Sequence, residues 1–421
     1  HQQWLQATNL FGIHALISGR ALDSPNFRRY LRGWQDQVSA VVLKRGRGHS
    51  LAVFLDNLDR RQDPIQEEAF LRASAMARDW GGLVFVCLRP STFFRSRTEG
   101  VLDAVAPKTI TIVSPKTSVL LKKRFQYAQR FARGETVIRR QSLRGPMGQN
   151  VTLDLPRVAE LLECFGESFF RERKLTTLFE AVSNGNVRDL LRYVKSVITS
   201  KHLNTEKILA RIHRRYRVPD HEALRALLYG DFWHYDPGKS IFLNMFDIVR
   251  ADPAEHFSRL LTLQYLARVN DGPRNSGFTG LTEISQYLCQ LGYSGQHARE
   301  TVEVLYGRKC CEGRVSGVEW ANLGSELRVT SLGKYHVMQL VKTFEYFDAI
   351  VVDTPILDPA IRMAISDERA ISHRLQRGRL LLDYLNNCSA AIQDADAVAI
   401  WQEIYHEVSG DISRIAAAIE S

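Results

Sequence analysis

The chain has 421 residues and a formal net charge of +10, and 45% of its residues are hydrophobic while 24% are charged. This composition is ordinary for a globular protein, and no apolar run reaches the roughly 18–20 residues of a membrane-spanning helix. We therefore exclude a membrane partner and expect about two to four domains, with a positive charge that permits contact with nucleic acid or another acidic partner.

The cysteines do not form a pattern that indicates disulfides or a metal. None lies in a C-x-x-C pair, and their spread suggests no disulfide framework, so we expect a reducing, cytoplasmic setting. We expect the adjacent Cys310 and Cys311 to be ordinary buried thiols.

Basic residues cluster in two places. Residues 122–144 hold eight basic side chains against one acid, Glu135, and a second cluster spans residues 211–217. Two interpretations stay open, a solvated helix face with a basic loop or a surface that follows phosphates. The first residue is His1, so we expect the natural protein to begin further upstream.

The first 150 residues alternate between apolar strand patterns and amphipathic helices. Helices are predicted at 24–47, 66–80 and 118–132, and strands at 51–55, 81–88 and 109–113. Such alternation predicts a parallel α/β sheet with buried strands, which we assign to a domain at 1–150.

The middle of the chain is predicted to be helical. Helices at 157–171, 175–181, 186–200 and 204–228 form a small lid-like group, and the aromatic, irregular stretch 230–247 is predicted to be a packed linker. Lid and linker make a second domain at 151–250.

A winged helix is predicted at 251–347. Three helices at 252–269, 281–291 and 295–306 precede two polar strand-like segments at 314–319 and 326–330, with a further helix at 334–346. Helical spacing predicts a core made of Leu260, Leu263, Leu266, Ile284, Leu288, Val302 and Leu305. A C-terminal helical segment fills 348–421; it begins with a turn at 351–355, and its helical stretch 366–419 breaks at 386–389.

The strongest local motif is LAVFLDNLD at residues 51–59, an apolar strand that ends in Asp56 and is followed by Asp59. Nucleotide hydrolysis needs one carboxylate for Mg²⁺ and another that polarises the attacking water. The alternative is an aspartate that only caps the strand. A second strand then leads to Arg89.

This order resembles the STAND branch of the AAA+ P-loop ATPases, which includes NACHT-like signalling ATPases. The resemblance implies a D-x-x-D pair at Asp56 and Asp59, with Asp56 holding Mg²⁺, and a sensor 1 arginine at Arg89. The strand at 109–113, followed by Pro115 and a long helix, is also similar to origin-recognition ATPases. The resemblance covers residues 50–334.

Further arginines match positions that this family uses. The segment SNGNVRDLL at 183–191 resembles sensor 2, which implies nucleotide contacts from Gly185, Asn186 and Arg188. The alternative for Arg188 is a surface arginine paired with Asp189 or Glu180. Arg95 and Arg97 are arginine-finger candidates, or else part of a basic surface loop.

The chain departs from the family in one respect, because it contains no Walker A motif. The GKS at 238–240 has Trp233 where the motif needs glycine, and it follows the lid. The phosphate-binding loop is expected ahead of residue 50, so that either the chain begins after it or the fold is a non-hydrolysing one. No HExxH, Cys/His zinc pattern or G-x-S-x-G motif offers another chemistry.

The predicted winged helix has two interpretations. Arg299, Lys309, Arg314 and Arg328 are candidates for contact with double-stranded DNA, whereas Glu300 and Glu303 on the same recognition helix repel phosphate and favour protein packing. Aromatic platforms for single strands are not evident from the sequence.

Two functional hypotheses follow. The first is an ATP-dependent switch with ATP and Mg²⁺ as cofactors, which assembles as a homo-oligomer and activates an effector protein, a behaviour that ATPases resembling this one use in bacterial defence against phage. The second is a DNA-binding initiator-like or regulatory protein whose ATPase fold is only a scaffold. A salt-sensitive duplex affinity that depends on Arg299 and Arg314 would favour the second.

Overall fold

In a computed structural model, the chain divides into two compact units, His1–Thr111 and Ile112–Ser421. The domain boundaries at 150, 250 and 347 stay predictions. The structure describes residues 52–56, 58, 63–80, 83–89, 92–93, 96, 102, 108–135, 155–171, 173–204, 208, 218–270, 277–313, 326–365 and 368–420.

The described part of the first unit is a small parallel βαβ arrangement. Strand β1 (Ala52–Leu55) leads into helix α1 (Asp63–Trp80), which packs against strand β2 (Leu83–Val86). The strands pair in parallel, with Ala52 opposite Leu83 and Leu55 opposite Val86. The two predicted strands and the helix between them are thus confirmed, and the predicted helix at 24–47 lies outside the described residues.

The described sheet is smaller and more exposed than the sequence predicts. Phe54 and Leu83 are 65% and 61% exposed, so β1 and β2 are not buried on both faces. Residues 109–113 form no strand, and Ile112 and Val113 are 90% and 80% exposed. Alternating β-branched residues favour an extended backbone, but a strand also needs a pairing partner. Within the described residues, a large parallel core is therefore not observed.

Helices dominate the second unit. Helix α2 (Thr117–Ala132) packs against α3 through Leu121 and Phe125, and Phe125, Phe169 and Phe179 form a chain of ring contacts. Helices α3 (Leu155–Arg171), α4 (Arg173–Ser183) and α5 (Val187–Ile198) confirm three of the predicted lid helices. The helix predicted at 204–228 is confirmed only in part, because α6 (Asp220–Tyr229) begins after Val218 and Pro219, which are not helical, and most of 205–217 lies outside the described residues.

The linker predicted at 230–247 is irregular, as expected, but only its second part is packed. Residues 231–234 are exposed, whereas side chains from distant elements bond the buried backbone of residues 243–245. The Leu243 N–H donates to His336 Nε2 at 3.0 Å, and the Met245 N–H donates to the Tyr346 hydroxyl at 2.8 Å. The Tyr346 hydroxyl donates in turn to the Leu243 carbonyl at 2.6 Å, and Arg259 Nη1 donates to the Asn244 carbonyl at 2.7 Å. Burial lowers the pKa of His336 to about 4, so the ring is neutral and able to accept.

Residues 252–329, called here the three-helix module, follow the predicted order. A 3₁₀ turn (Pro253–Phe257) opens the module, and strands β3 (Thr279–Gly280) and β4 (Cys311–Gly313) both pair antiparallel with β5 (Glu326–Val329). All seven predicted core residues are at most 4% exposed, which confirms the core. The segment predicted as a strand at 314–319 lies outside the described residues. The elements of the module are α7 (Ser258–Asn270), β3 (Thr279–Gly280), α8 (Leu281–Gln290), α9 (Gly295–Gly307), β4 (Cys311–Gly313) and β5 (Glu326–Val329).

The helix predicted at 334–346 is broken into three pieces, because Gln339 (φ −134°, ψ −53°) and Thr343 (φ −112°, ψ 140°) leave the helical conformation. Residues 351–354 form a turn, as predicted, and the break in the last helical stretch lies at Ser389–Ala391. The elements are α10 (Ser331–Met338), a 3₁₀ turn (Leu340–Lys342), α11 (Phe344–Ile350), α12 (Pro359–Ala364), α13 (Ile371–Cys388) and α14 (Ala395–Glu420).

One continuous apolar core joins the lid helices, the linker, the three-helix module and the C-terminal helices. Trp401 of α14 is fully buried, and its ring contacts Phe246 of the linker and Phe257 of the module at 5.7 and 5.2 Å. All six cysteines are free thiols, and burial raises the pKa of Cys310 to about 12. Among the helices that the structure describes, none has the length and apolar character that crossing a membrane requires.

Candidate functional site

The carboxyl ends of β1 and β2 bring two predicted site residues to one edge. Asp56 directly follows β1, and the Cys87 N–H, directly after β2, donates to the Leu55 carbonyl at 2.9 Å. Burial and, after it, the Asp56 charge raise the pKa of the Cys87 thiol. Arg89 lies two residues further along, and both Asp56 and Arg89 are exposed.

Four other predicted site residues lie outside the described residues. They are Asp59, Arg95 and Arg97, which follow the strands in sequence, and Arg314 of the wing. Within the described part of the chain, no group of three acidic, histidine or cysteine side chains is arranged to hold a metal ion. Binding of Mg²⁺ at Asp56 stays a prediction.

The predicted sensor 2 segment is a tight turn between α4 and α5. Asn184 (φ 45°) and Gly185 (φ 76°) adopt left-handed conformations, and the Asn186 side chain caps α5 by accepting from the Arg188 and Asp189 N–H groups. The Ser114 hydroxyl donates to the Gly185 carbonyl at 2.8 Å, and the Ser331 N–H of α10 donates to Asn184 Oδ1 at 3.3 Å. This turn therefore joins three segments of the second unit.

Arg188 projects from the first turn of α5 and is exposed. Asp189 does not pair with it, because this carboxylate pairs with Arg192 at 3.0 Å and accepts from the Asn186 amide at 2.9 Å. Among the described residues, no acid lies within ion-pair distance of Arg188. Nucleotide contacts from Gly185, Asn186 and Arg188 stay predictions.

The predicted recognition helix α9 is tied to the end of the linker by a charged network. Arg250 contacts Glu300 at 2.6 Å and His297 Nδ1 at 2.8 Å, while Glu255 accepts from the Val249 and Arg250 N–H groups. Hydrogen bonds from Gln296 and Arg250 lower the pKa of Glu300, and burial lowers the pKa of His297. One of the two acids that disfavour DNA is therefore already paired within the protein.

The wing candidates differ in their surroundings. Arg328 of β5 pairs with Glu312 of β4 at 2.6 Å and lies over the Phe278 ring at 5.0 Å. Arg299 and Lys309 are exposed, and Lys309 adopts a left-handed backbone (φ 59°). Since an arginine paired within the sheet must leave its partner to reach a phosphate, DNA contact at the wing stays a prediction.

The basic run on α2 matches the interpretation of a solvated helix face. Lys122, Lys123 and Arg124 are exposed, and Arg133 after the helix pairs with Glu163 of α3 at 2.9 Å. The cluster at 211–217 and the basic residues after 135 lie outside the described residues.

Two charged groups were missed by sequence reasoning. Buried Asp348 is bonded by Arg374 and Arg377 of α13, and two cations lie over the exposed ring of Trp233. An aspartate inside the mostly apolar stretch 344–350 and arginines three residues apart were the available signals for the first. No local pattern indicates the second, because its members come from three separate segments.

No protein-family model matches this sequence, and no curated protein or solved structure matches it either.

Proposed function

We propose that this chain belongs to an ATP-dependent switch of the AAA+/STAND type, in which nucleotide state controls a helical arm that carries a winged helix. The observation that carries the proposal is the parallel pair β1 and β2, which sets Asp56 and Arg89 at one carboxyl edge. In open α/β sheets, ligands bind outside the carboxyl ends of the strands. A homo-oligomer, an effector protein and a role in defence belong to the same proposal.

Each group at this edge has a role in the proposed chemistry. Asp56 would hold Mg²⁺ through water, and a bound magnesium ion would neutralise charge that develops on the transferred phosphoryl group. Arg89 would contact the terminal phosphate, and Asp59 would orient the attacking water. The proposal also requires a phosphate-binding loop, which this sequence does not contain.

The second unit as a whole would be the part that moves when the nucleotide state changes. The linker is fixed by hydrogen bonds to α10 and α11, and α9 is fixed to the linker by Arg250. A continuous core joins the same elements. These contacts support a mechanism in which the lid and the winged helix move together rather than hinge at the linker.

Substitution at the acidic edge tests the proposal in the natural full-length protein. Asp59→Asn should leave ATP binding largely intact and lower kcat by about 10²-fold or more, because it removes the group that orients water. Asp56→Asn should in addition raise the Mg²⁺ concentration needed for half-maximal turnover. Steady-state ATPase assays measure both.

The exposed Asp231 in the linker supplies the matched control, since Asp231→Asn removes the same charge far along the sequence from the acidic motif. It should turn over ATP at the wild-type rate. Wild-type kcat in both Asp56→Asn and Asp59→Asn would overturn the ATPase proposal.

Arg188 offers a second test, of the coupling between nucleotide and lid. Arg188→Ala should reduce the protection that ATP gives residues 150–250 against protease, with little change in stability, because an exposed arginine contributes little to folding. Lys195→Ala, which removes an exposed cation from the same helix, should keep full protection. Protection equal to wild type in Arg188→Ala would remove the sensor role.

A further inference from the structure

Three separate segments of the second unit meet around Trp233. Lys201 comes from the turn after α5, Trp233 from the linker and Arg369 from the residues before α13. Lys201 Nζ lies 4.0 Å and Arg369 Cζ 4.2 Å from the centroid of the Trp233 ring. Trp233 and the neighbouring Phe232 are 49% and 45% exposed. We call Lys201, His202, Phe232, Trp233 and Arg369 the Trp233 surface.

Positive charge dominates this surface. Among the described residues, no acid lies within ion-pair distance of Lys201 or Arg369. Glu368, the neighbour of Arg369, lies instead 2.7 Å from His373. The cations are held by the indole ring, because the negative face of an aromatic ring attracts ammonium and guanidinium groups.

The positive charge of this surface also acts on His202. Its ring lies 5.5 Å from the Trp233 ring, edge to face, and its Nε2 is 2.8 Å from the Phe232 carbonyl. Burial lowers the pKa of His202, and the charges of Lys201, Arg225 and Arg369 lower it further. Among the described residues, the charges that act on His202 are therefore all positive, which favours an anion at this surface.

We propose that the Trp233 surface binds single-stranded nucleic acid. Lys201 and Arg369, which lie over the Trp233 ring in the free protein, would turn away from it to contact backbone phosphates, and the Trp233 and Phe232 rings would then contact bases. Sequence-independent binding of single strands combines a cationic surface with aromatic rings on which bases stack. Exposed aromatic rings favour a single strand over a duplex, because duplex bases are already stacked on one another. The sequence alone did not indicate the Trp233 surface, because its residues come from segments that are far apart along the chain.

The test measures binding of a fluorescent 20-nucleotide single strand to the full chain by anisotropy, without ATP. The double variant Lys201→Ala/Arg369→Ala should weaken binding by about tenfold or more. It should also reduce the slope of log affinity against log salt by about 1.4, since each phosphate contact on a single strand contributes about 0.7. Trp233→Ala should weaken binding as well, whereas Trp233→Tyr should retain most of it, because a smaller ring still stacks.

The matched control is Lys239→Ala/Arg379→Ala, which removes two exposed cations from elsewhere in the second unit. It should bind the single strand like the wild type, with all variants checked for unchanged melting temperature. Wild-type affinity in the Lys201/Arg369 variant, or equal loss in the control, overturns the proposal. A 20-base-pair duplex that binds as tightly and depends on the same residues overturns the choice of a single strand. Since the assay needs no ATP, its failure leaves the proposed switch untouched.

Discussion

Asp348→Ala should lower the free energy of unfolding by about 3–5 kcal/mol, because it would leave one buried and one partly buried guanidinium group, those of Arg377 and Arg374, without their counter-ion. Asp348 is 1% exposed. Arg374 Nε donates to its Oδ2 and Arg377 Nε donates to its Oδ1, both at 2.8 Å. These bonds join α11 to α13. Urea unfolding followed by circular dichroism measures the change.

The control for this prediction comes from the same helix as the two arginines. Asp383 of α13 is exposed and accepts one hydrogen bond from Tyr405 at 3.2 Å, so Asp383→Ala should cost about 1 kcal/mol or less. Asp348→Asn keeps the shape and loses the charge, and we expect an intermediate cost. A loss below about 1 kcal/mol for Asp348→Ala would show that the arginines find other partners or water.

Leu263→Ala should cost about 2–5 kcal/mol, the range for deleting a buried leucine side chain that leaves a cavity. Leu263 is fully buried in α7, and this helix packs against α8, α9, β5 and α10. The same urea experiment measures the loss. Gln286→Ala at an exposed position of α8 should change stability by less than about 0.5 kcal/mol. Equal stability of the two variants would contradict the core that we describe.

Local patterns predicted the helices well, because their signals lie within a few residues. The cap residues Asn186 and Ser294 bond the first N–H groups of α5 and α9, as the preferences of helix starts suggest. The core of the three-helix module followed from apolar spacing alone. At the candidate site, the apolar run before Asp56 predicted β1, and the next run predicted the parallel partner that brings Arg89 to the same edge.

What the sequence did not predict depends on contacts between distant residues. Asp348 and its arginines are 26 and 29 residues apart, and no local signal pairs them. The sequence pattern predicts a helix along the whole of 334–346, yet the helix breaks at Gln339 and Thr343. Nearby, the Tyr346 hydroxyl is held by the linker at Leu243, a partner 103 residues away. Tertiary bonds of this kind override local preference.

The burial of part of the linker also affects where this chain can tolerate cleavage and insertion. Irregular segments usually lie on the surface, where they accept extra residues and are cut by proteases. Residues 242–246 are at most 6% exposed, and their peptide groups are bonded to side chains of α7, α10 and α11. An inserted residue would shift every one of these bonds by one position. Residues 242–246, which lie between the lid and the winged helix, should therefore tolerate neither cleavage nor insertion, and fragments divided there should not fold separately.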